Sequence, residues 1–131
     1  MLGLAAALAA AGGPVWAQET STVTFRAGDF GTMVTGTVTG RQYRDYRLGA
    51  RAGQEMALSL AVASTDGNGS AYFNLLPPGS DDVAIYNSSS EGNDAVVPLP
   101  ETGDYTIRVY LMGNDRDKER RVDFNLDLSI Q

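Results

Sequence analysis

The sequence predicts an all-β protein, an antiparallel two-sheet β-sandwich of about eight or nine strands. Apolar residues recur at every second position in several runs, as strands with one buried face require. Turn-forming residues separate those runs at short intervals: Gly40, Gly49, Asp66-Gly67-Asn68-Gly69, Pro77-Pro78-Gly79, Glu91-Gly92-Asn93 and Thr102-Gly103. At 131 residues the chain suits one domain and shows no internal repeat.

Taken in order, Met1–Ala17 carries no charge and ends with Val15 and Ala17 at the minus-three and minus-one positions of a cleavage before Gln18. That is the pattern of a secretory signal peptide, lacking its basic start, and the run is short for a membrane span of roughly 20 residues. Residues 18–131 then form the domain. Thr22–Arg26, Met33–Thr39 and Tyr43–Leu48 are the first expected strands. Arg41, Arg44, Arg47 and Arg51 have helical spacing, but Gly49, Gly53 and the alternation of Tyr46 and Leu48 with Asp45 and Arg47 favour a strand. Gln54–Ala63 places Met56, Leu58, Leu60 and Val62 on one face, and Ala71–Leu76, Val83–Tyr86 and Ala95–Leu99 follow with weaker signals. Asp104–Met112 aligns Tyr105, Ile107, Val109 and Leu111. The last strand is the clearest, with Val122, Phe124, Leu126, Leu128 and Ile130 alternating with Asp123, Asn125, Asp127 and Ser129. Burying those five side chains contributes roughly 8–15 kcal/mol before conformational entropy is counted.

The formal net charge is −6, all of it after the leader. An acidic surface disfavours nucleic acid and anionic lipid, whose phosphates need Lys and Arg, and suits a basic protein partner. With no His and no Cys, the common nucleophilic triads and most zinc sites are excluded. Lys118, the only lysine, sits among charges in Arg-Asp-Lys-Glu-Arg-Arg, the opposite of the dry setting that activates an amine. No carboxylate pair is singled out by pattern, so the expectation is a binding protein and not an enzyme, with no cofactor and no metal. Asp66-Gly67-Asn68-Gly69 resembles part of a calcium loop but lacks its remaining acidic ligands, and it reads as a hairpin turn, as does Asp81-Asp82.

Two segments remain as candidate binding elements. Gly113–Arg121 is a charged loop between the last two strands, bearing Asn114, Asp115, Arg116 and Lys118, and is expected to be an exposed, non-helical hairpin tip. Arg41-Gln42-Tyr43-Arg44 brings Tyr and Arg, the residue types enriched at binding hot spots, to the start of a strand. The plain alternatives are a solvated loop and an edge strand protected by charge.

The order of features resembles the periplasmic inhibitors of g-type (goose-type) lysozyme. The matching segments are Val23-Thr-Phe-Arg-Ala-Gly28, Gly40 with Tyr43 and Tyr46, Ala52-Gly53-Gln54 before the Met56 strand, Pro78-Gly79 followed by Asp81-Asp82, Leu99-Pro100-Glu-Thr-Gly103-Asp-Tyr105 leading into Ile107-Arg108-Val109, and Asn114-Asp115. The resemblance runs from about Thr22 to Ile130 and implies a β-sandwich that plugs a muramidase cleft with polar and basic side chains. By position it implies contacts from Asn114, Asp115 and Lys118 and from Tyr43. The chain departs from the pattern at Gly113, where an Arg is expected, at Arg41, where a Tyr is expected, and at Asp117, where a basic residue is expected. Arg116 and Arg41 are expected to supply the missing charge from neighbouring positions, and Arg44 of the Arg41–Arg44 cluster completes the expected contact set. Tyr46–Gly53 and Leu99–Arg108 also resemble bacterial pre-peptidase C-terminal domains, which implies a glycan- or protein-binding module of the cell envelope as the alternative. A purely structural envelope protein is a third reading, without a specific signal. The location implied is the periplasm; the oligomeric state is left open.

Overall fold

The computed structural model describes residues 18–25 and 30–131, so the expected leader at 1–17 lies outside the described residues. In chain order the strands are β1 (Gln18–Thr22), β2 (Gly31–Thr39), β3 (Tyr43–Ala50), β4 (Glu55–Thr65), β5 (Ala71–Leu76), β6 (Tyr86–Asn87), β7 (Asp94–Pro98), β8 (Gly103–Leu111) and β9 (Arg121–Ile130). Two single helical turns interrupt them, α1 (Ser88–Glu91) and α2 (Gly113–Asp117). The strands form a five-stranded sheet, β1-β3-β8-β5-β6, and a four-stranded sheet, β2-β9-β4-β7. The expected all-β sandwich is the observed architecture. All pairings are antiparallel except β1 with β3, a parallel pair at an edge.

Period two accounts for the core. Val122, Phe124, Leu126, Leu128 and Ile130 of β9, Tyr105, Ile107, Val109 and Leu111 of β8, and Met56, Leu58 and Leu60 of β4 are all buried between the sheets. Tyr46 and Leu48 of β3 join them, so the strand reading of the arginine-spaced segment holds. Val62 departs from expectation and is 39% exposed. The register of β4 on β9 shifts between Val62 and Ser64, so Val62 is the last residue before a bulge, where the inward run of the strand ends.

Three further expectations are corrected. The first strand is Gln18–Thr22 and not Thr22–Arg26; Val23 is buried and Phe25 packs on the core outside any strand. A polar edge strand held by backbone bonds to β3 needs no alternating pattern and so leaves no trace of one. Val83–Tyr86 contributes only Tyr86 to a two-residue strand, because the Ser80 hydroxyl and the Val83 backbone close a turn, with Ser80 Oγ donating to Val83 O at 2.7 Å. Finally, Asp66-Gly67-Asn68-Gly69 and the charged segment 113–121 are not hairpins, whereas Asp81-Asp82 does lie between two paired antiparallel strands, β5 and β6. Consecutive strands alternate between the two sheets, β5 to β6 excepted, so both Asp66–Ser70 and Gly113–Arg120 cross from one sheet to the other.

Candidate functional site at one end of the sandwich

Three crossings meet at the same end: residues 40–42 between β2 and β3, 66–70 between β4 and β5, and 112–120 between β8 and β9. Backbone bonds tie them together. Gly40 N donates to Arg120 O at 3.0 Å, and Met112 N donates to Ser70 O at 3.1 Å. Gly40 has φ 59°, and a Cβ there would stand 3.2 Å from Glu119 Cα, so both backbone conformation and close approach select glycine. Glu119 itself takes φ 55°, an uncommon left-handed conformation for a residue with a side chain.

The segment 113–121 is not the open loop the sequence suggests. Gly113–Asp117 forms one helical turn, closed by Lys118 N donating to Asn114 O at 2.8 Å, and Arg120 N donates to Asp115 O at 2.9 Å. Asp115, expected among the contact residues, is only 1% exposed. Its carboxylate accepts the backbone N–H of Asn68 at 2.9 Å and of Ser70 at 2.7 Å, and these bonds hold its pKa below the ordinary Asp value. A Cβ on Gly67 would collide with Asp115 Oδ1 and with the Arg120 stem, so Gly67 lets the two crossings pack. Asp66 reciprocates, with Oδ1 accepting Arg121 N at 2.9 Å. The Asp-Gly-Asn-Gly segment is therefore a crossing turn whose first carboxylate caps backbone, and it braces the charged turn. Its partner Asp115 lies 45 residues or more away in sequence, so the segment alone reads only as a turn.

The other predicted contact residues divide into two groups. Asn114, Arg116 and Lys118 lie on the outer side of α2 and its exit, with Asn114 and Lys118 exposed. Arg41 joins them across the crossing: Asp117 Oδ1 lies 3.4 Å from Arg41 Nη2 and 3.0 Å from Arg116 Nε. Exposed pairs of this kind contribute about 0–1 kcal/mol, so Asp117 aligns two guanidiniums more than it stabilises the fold. A recess of about 330 Å³ lies between them, lined by Gly40, Arg41, Gln42, Tyr110, Met112 and Arg116. Arg44 and Tyr43 belong elsewhere. Arg44 shares the inward face of β3 with Tyr46 and pairs with Glu19 at 3.1 Å. Tyr43 lies on the opposite, outer face of the sheet, with the Arg108 guanidinium 4.4 Å above its ring. Arg108 is fixed in turn by both oxygens of Asp45, at 2.8 and 3.0 Å.

Arg41, Arg116, Lys118 and Arg120 thus share this end with Asp66, Asp115, Asp117 and Glu119, a balanced end on a chain of net charge −6. Two of the acids, Asp66 and Asp115, spend an oxygen or more on backbone amides. Among the described residues no group of three or more acidic side chains is placed to hold a metal ion, and no helix is long and apolar enough to cross a membrane. What the end can do is present guanidinium, ammonium and amide donors from a braced backbone to an anionic partner.

Known proteins share this fold. No family model matches the chain. The inhibitor of g-type lysozyme of Escherichia coli strain K12 is 30% identical over 111 residues, covering 83% of this chain and 79% of that protein. The crystal structure of the Aeromonas hydrophila periplasmic inhibitor of g-type lysozyme, PliG, superposes with a TM-score of 0.78 at 30% identity, covering 88% of this chain and 98% of the other. A mutant of the Escherichia coli inhibitor gives 0.68 at 29% identity, covering 88% and 100%. A pre-peptidase C-terminal domain of a Bacillus anthracis collagenase shares the fold, with a TM-score of 0.57 at 16% identity over 87% of this chain and 96% of that one. The characterised relatives are inhibitor proteins and not enzymes, and on identity, coverage and fold together this chain belongs to the family of periplasmic inhibitors of g-type lysozyme.

Proposed function

We propose that this chain is an exported inhibitor of g-type lysozyme that occludes the enzyme's cleft with the end formed by residues 40–42 and 113–121. The observation that carries this reading is the meeting of Arg41 and Arg116, 75 positions apart in sequence, on the single carboxylate of Asp117. Glycoside hydrolases work with paired carboxyl groups in a concave site. A guanidinium entering such a site makes charge-assisted hydrogen bonds with a carboxylate, and its exposed bond to Asp117 is cheap to exchange. Lys118 and Asn114 add donors beside it. Asp115 acts from behind, holding the turn in shape, so its role in binding is positional. The net charge of −6 draws in a basic enzyme at long range, while the local donors hold it at contact. The periplasm is the proposed site of action, reached through a leader of residues 1–17 removed before Gln18.

The test is bacterial cell-wall lysis by a g-type lysozyme with added chain of residues 18–131, whose intact mass from periplasmic material reports the cleavage. Clearing is expected to slow as inhibitor is titrated. Arg116→Ala with Lys118→Ala is expected to weaken inhibition at least tenfold without lowering the melting temperature appreciably. Unchanged clearing across a wide titration of the unaltered chain rejects the reading.

A further inference from the structure

The outer face of the five-stranded sheet carries a second feature that borders this end. Tyr43 of β3 is the register partner of Tyr110 on β8, and Tyr110 is the partner of Tyr72 on β5. Three of the six tyrosines therefore stand in one row across three adjacent strands, spanning about 10 Å at the usual strand spacing. Side chains alternate, and Ala71, Phe73, Val109 and Leu111 take the inward face, so all three rings face outward, half-buried. The row is immobilised. Tyr110 donates its hydroxyl to Asn74 Oδ1 at 3.2 Å and its ring lies 6.5 Å from that of Tyr72, while Tyr43 lies under the chelated Arg108. Tyr110 also lines the recess that holds Arg41 and Arg116, so the row and the charged end form one continuous surface.

We infer that Tyr110 and Tyr72 extend the protein-docking surface beyond Tyr43, whose contact the family resemblance already implies, and receive the wall of the same lysozyme whose cleft takes the charged end. This rests on the reading of the chain as a lysozyme inhibitor. Rigid tyrosines bury large area at little cost in side-chain entropy, and beside arginine they have the composition of a binding hot spot. A glycan strand fits the row poorly. Arg108 covers a face of the Tyr43 ring, and the rings of Tyr72 and Tyr110 are tilted by 45°, so the row offers no common flat platform on which sugar rings can stack.

The experiment measures binding of a g-type lysozyme to the unaltered chain, to Tyr72→Ser with Tyr110→Ser, and to Arg41→Ala with Arg116→Ala, across a range of salt. The tyrosine variant is expected to bind at least tenfold more weakly, through faster dissociation, with its salt dependence unchanged. The arginine variant is expected to lose salt dependence as well as affinity. Nitration of tyrosines by tetranitromethane, mapped by mass spectrometry on the unaltered chain, is expected to slow at Tyr72 and Tyr110 in the complex. This readout decides the matter if the tyrosine variant's melting temperature falls. Unaltered affinity in a folded tyrosine variant, or equal nitration free and bound, overturns the inference and leaves the charged end standing. No binding by the unaltered chain rejects the inhibitor reading itself. Retention of the unaltered chain on purified peptidoglycan, lost in the tyrosine variant, overturns the inference in favour of a glycan.

Discussion

The outer faces of the two sheets share a backbone plan but hold their acids differently. On the five-stranded side, and at the end it borders, Asp45 and Asp115 are 4% and 1% exposed, each bonded through both carboxylate oxygens to fixed partners. On the four-stranded side Asp94, Asp123 and Asp127 stand in a carpet of small residues, with Ser59, Ser64 and Thr37 hydroxyls as partners for Asp94 and Asp123. The Ser64 and Thr37 hydroxyls lower the pKa of Asp123, as backbone amides lower that of Asp115. The difference lies in what breaks when a partner is removed. A buried charge left alone cannot turn to water, whereas an exposed one can. Among the described residues the buried acids thus lie on the side proposed to meet the lysozyme.

The largest expected effect is at Arg108. Arg108→Ala removes the guanidinium held by both oxygens of the buried Asp45 and uncovers Tyr43, and is expected to lower unfolding free energy by about 3 kcal/mol in urea titration. A loss under about 1 kcal/mol would erase the contrast between the faces.

Next comes Asp115. Asp115→Ala leaves two amides of the 66–70 crossing without acceptors and is expected to cost about 2 kcal/mol. Because the folded pKa of Asp115 is lowered, its contribution is complete above the ordinary Asp pKa and is lost as pH falls through the lower folded value. Asp115→Asn is therefore expected to flatten the fall in stability below about pH 4 relative to the unaltered chain. Thermal melts across acid pH measure that slope, and parallel curves would show that Asp115 is not a source of it.

The smallest effect belongs to the opposite face. Ser59→Ala removes one exposed hydroxyl from Asp94 and is expected to change stability by no more than about 0.5 kcal/mol. A larger loss would mean that the four-stranded face is as tightly organised as the other.

Much of the fold is legible in the residues because burial imposes period two. β9, β8 and the first half of β4 announce their inward faces residue by residue, and each of those apolar positions is buried. The polar edge strand β1 is silent, since pairing through backbone leaves side chains free to be Glu, Thr or Ser. The site divides in the same way. Arg41, Arg116 and Lys118 are recognisable by type, but Asp115 looks like one more charge in a charged run until its burial against Asn68 and Ser70 is seen. Tyr72 and Tyr110 give no signal of their own, being ordinary outward positions of β5 and β8. Their row exists only through register.

The sequence by itself determined the inward faces of β8, β9 and the first half of β4, that the chain is all-β, and that common His- and Cys-dependent catalysis is excluded. These follow from local alternation and residue chemistry, which act along the chain. Only the tertiary structure decided that consecutive strands change sheets, that three crossings share one end, and that one carboxylate joins Arg41 to Arg116. Alternation states which face of a strand is buried and nothing about its neighbour, so partnerships between distant segments arise only when the two sheets pack.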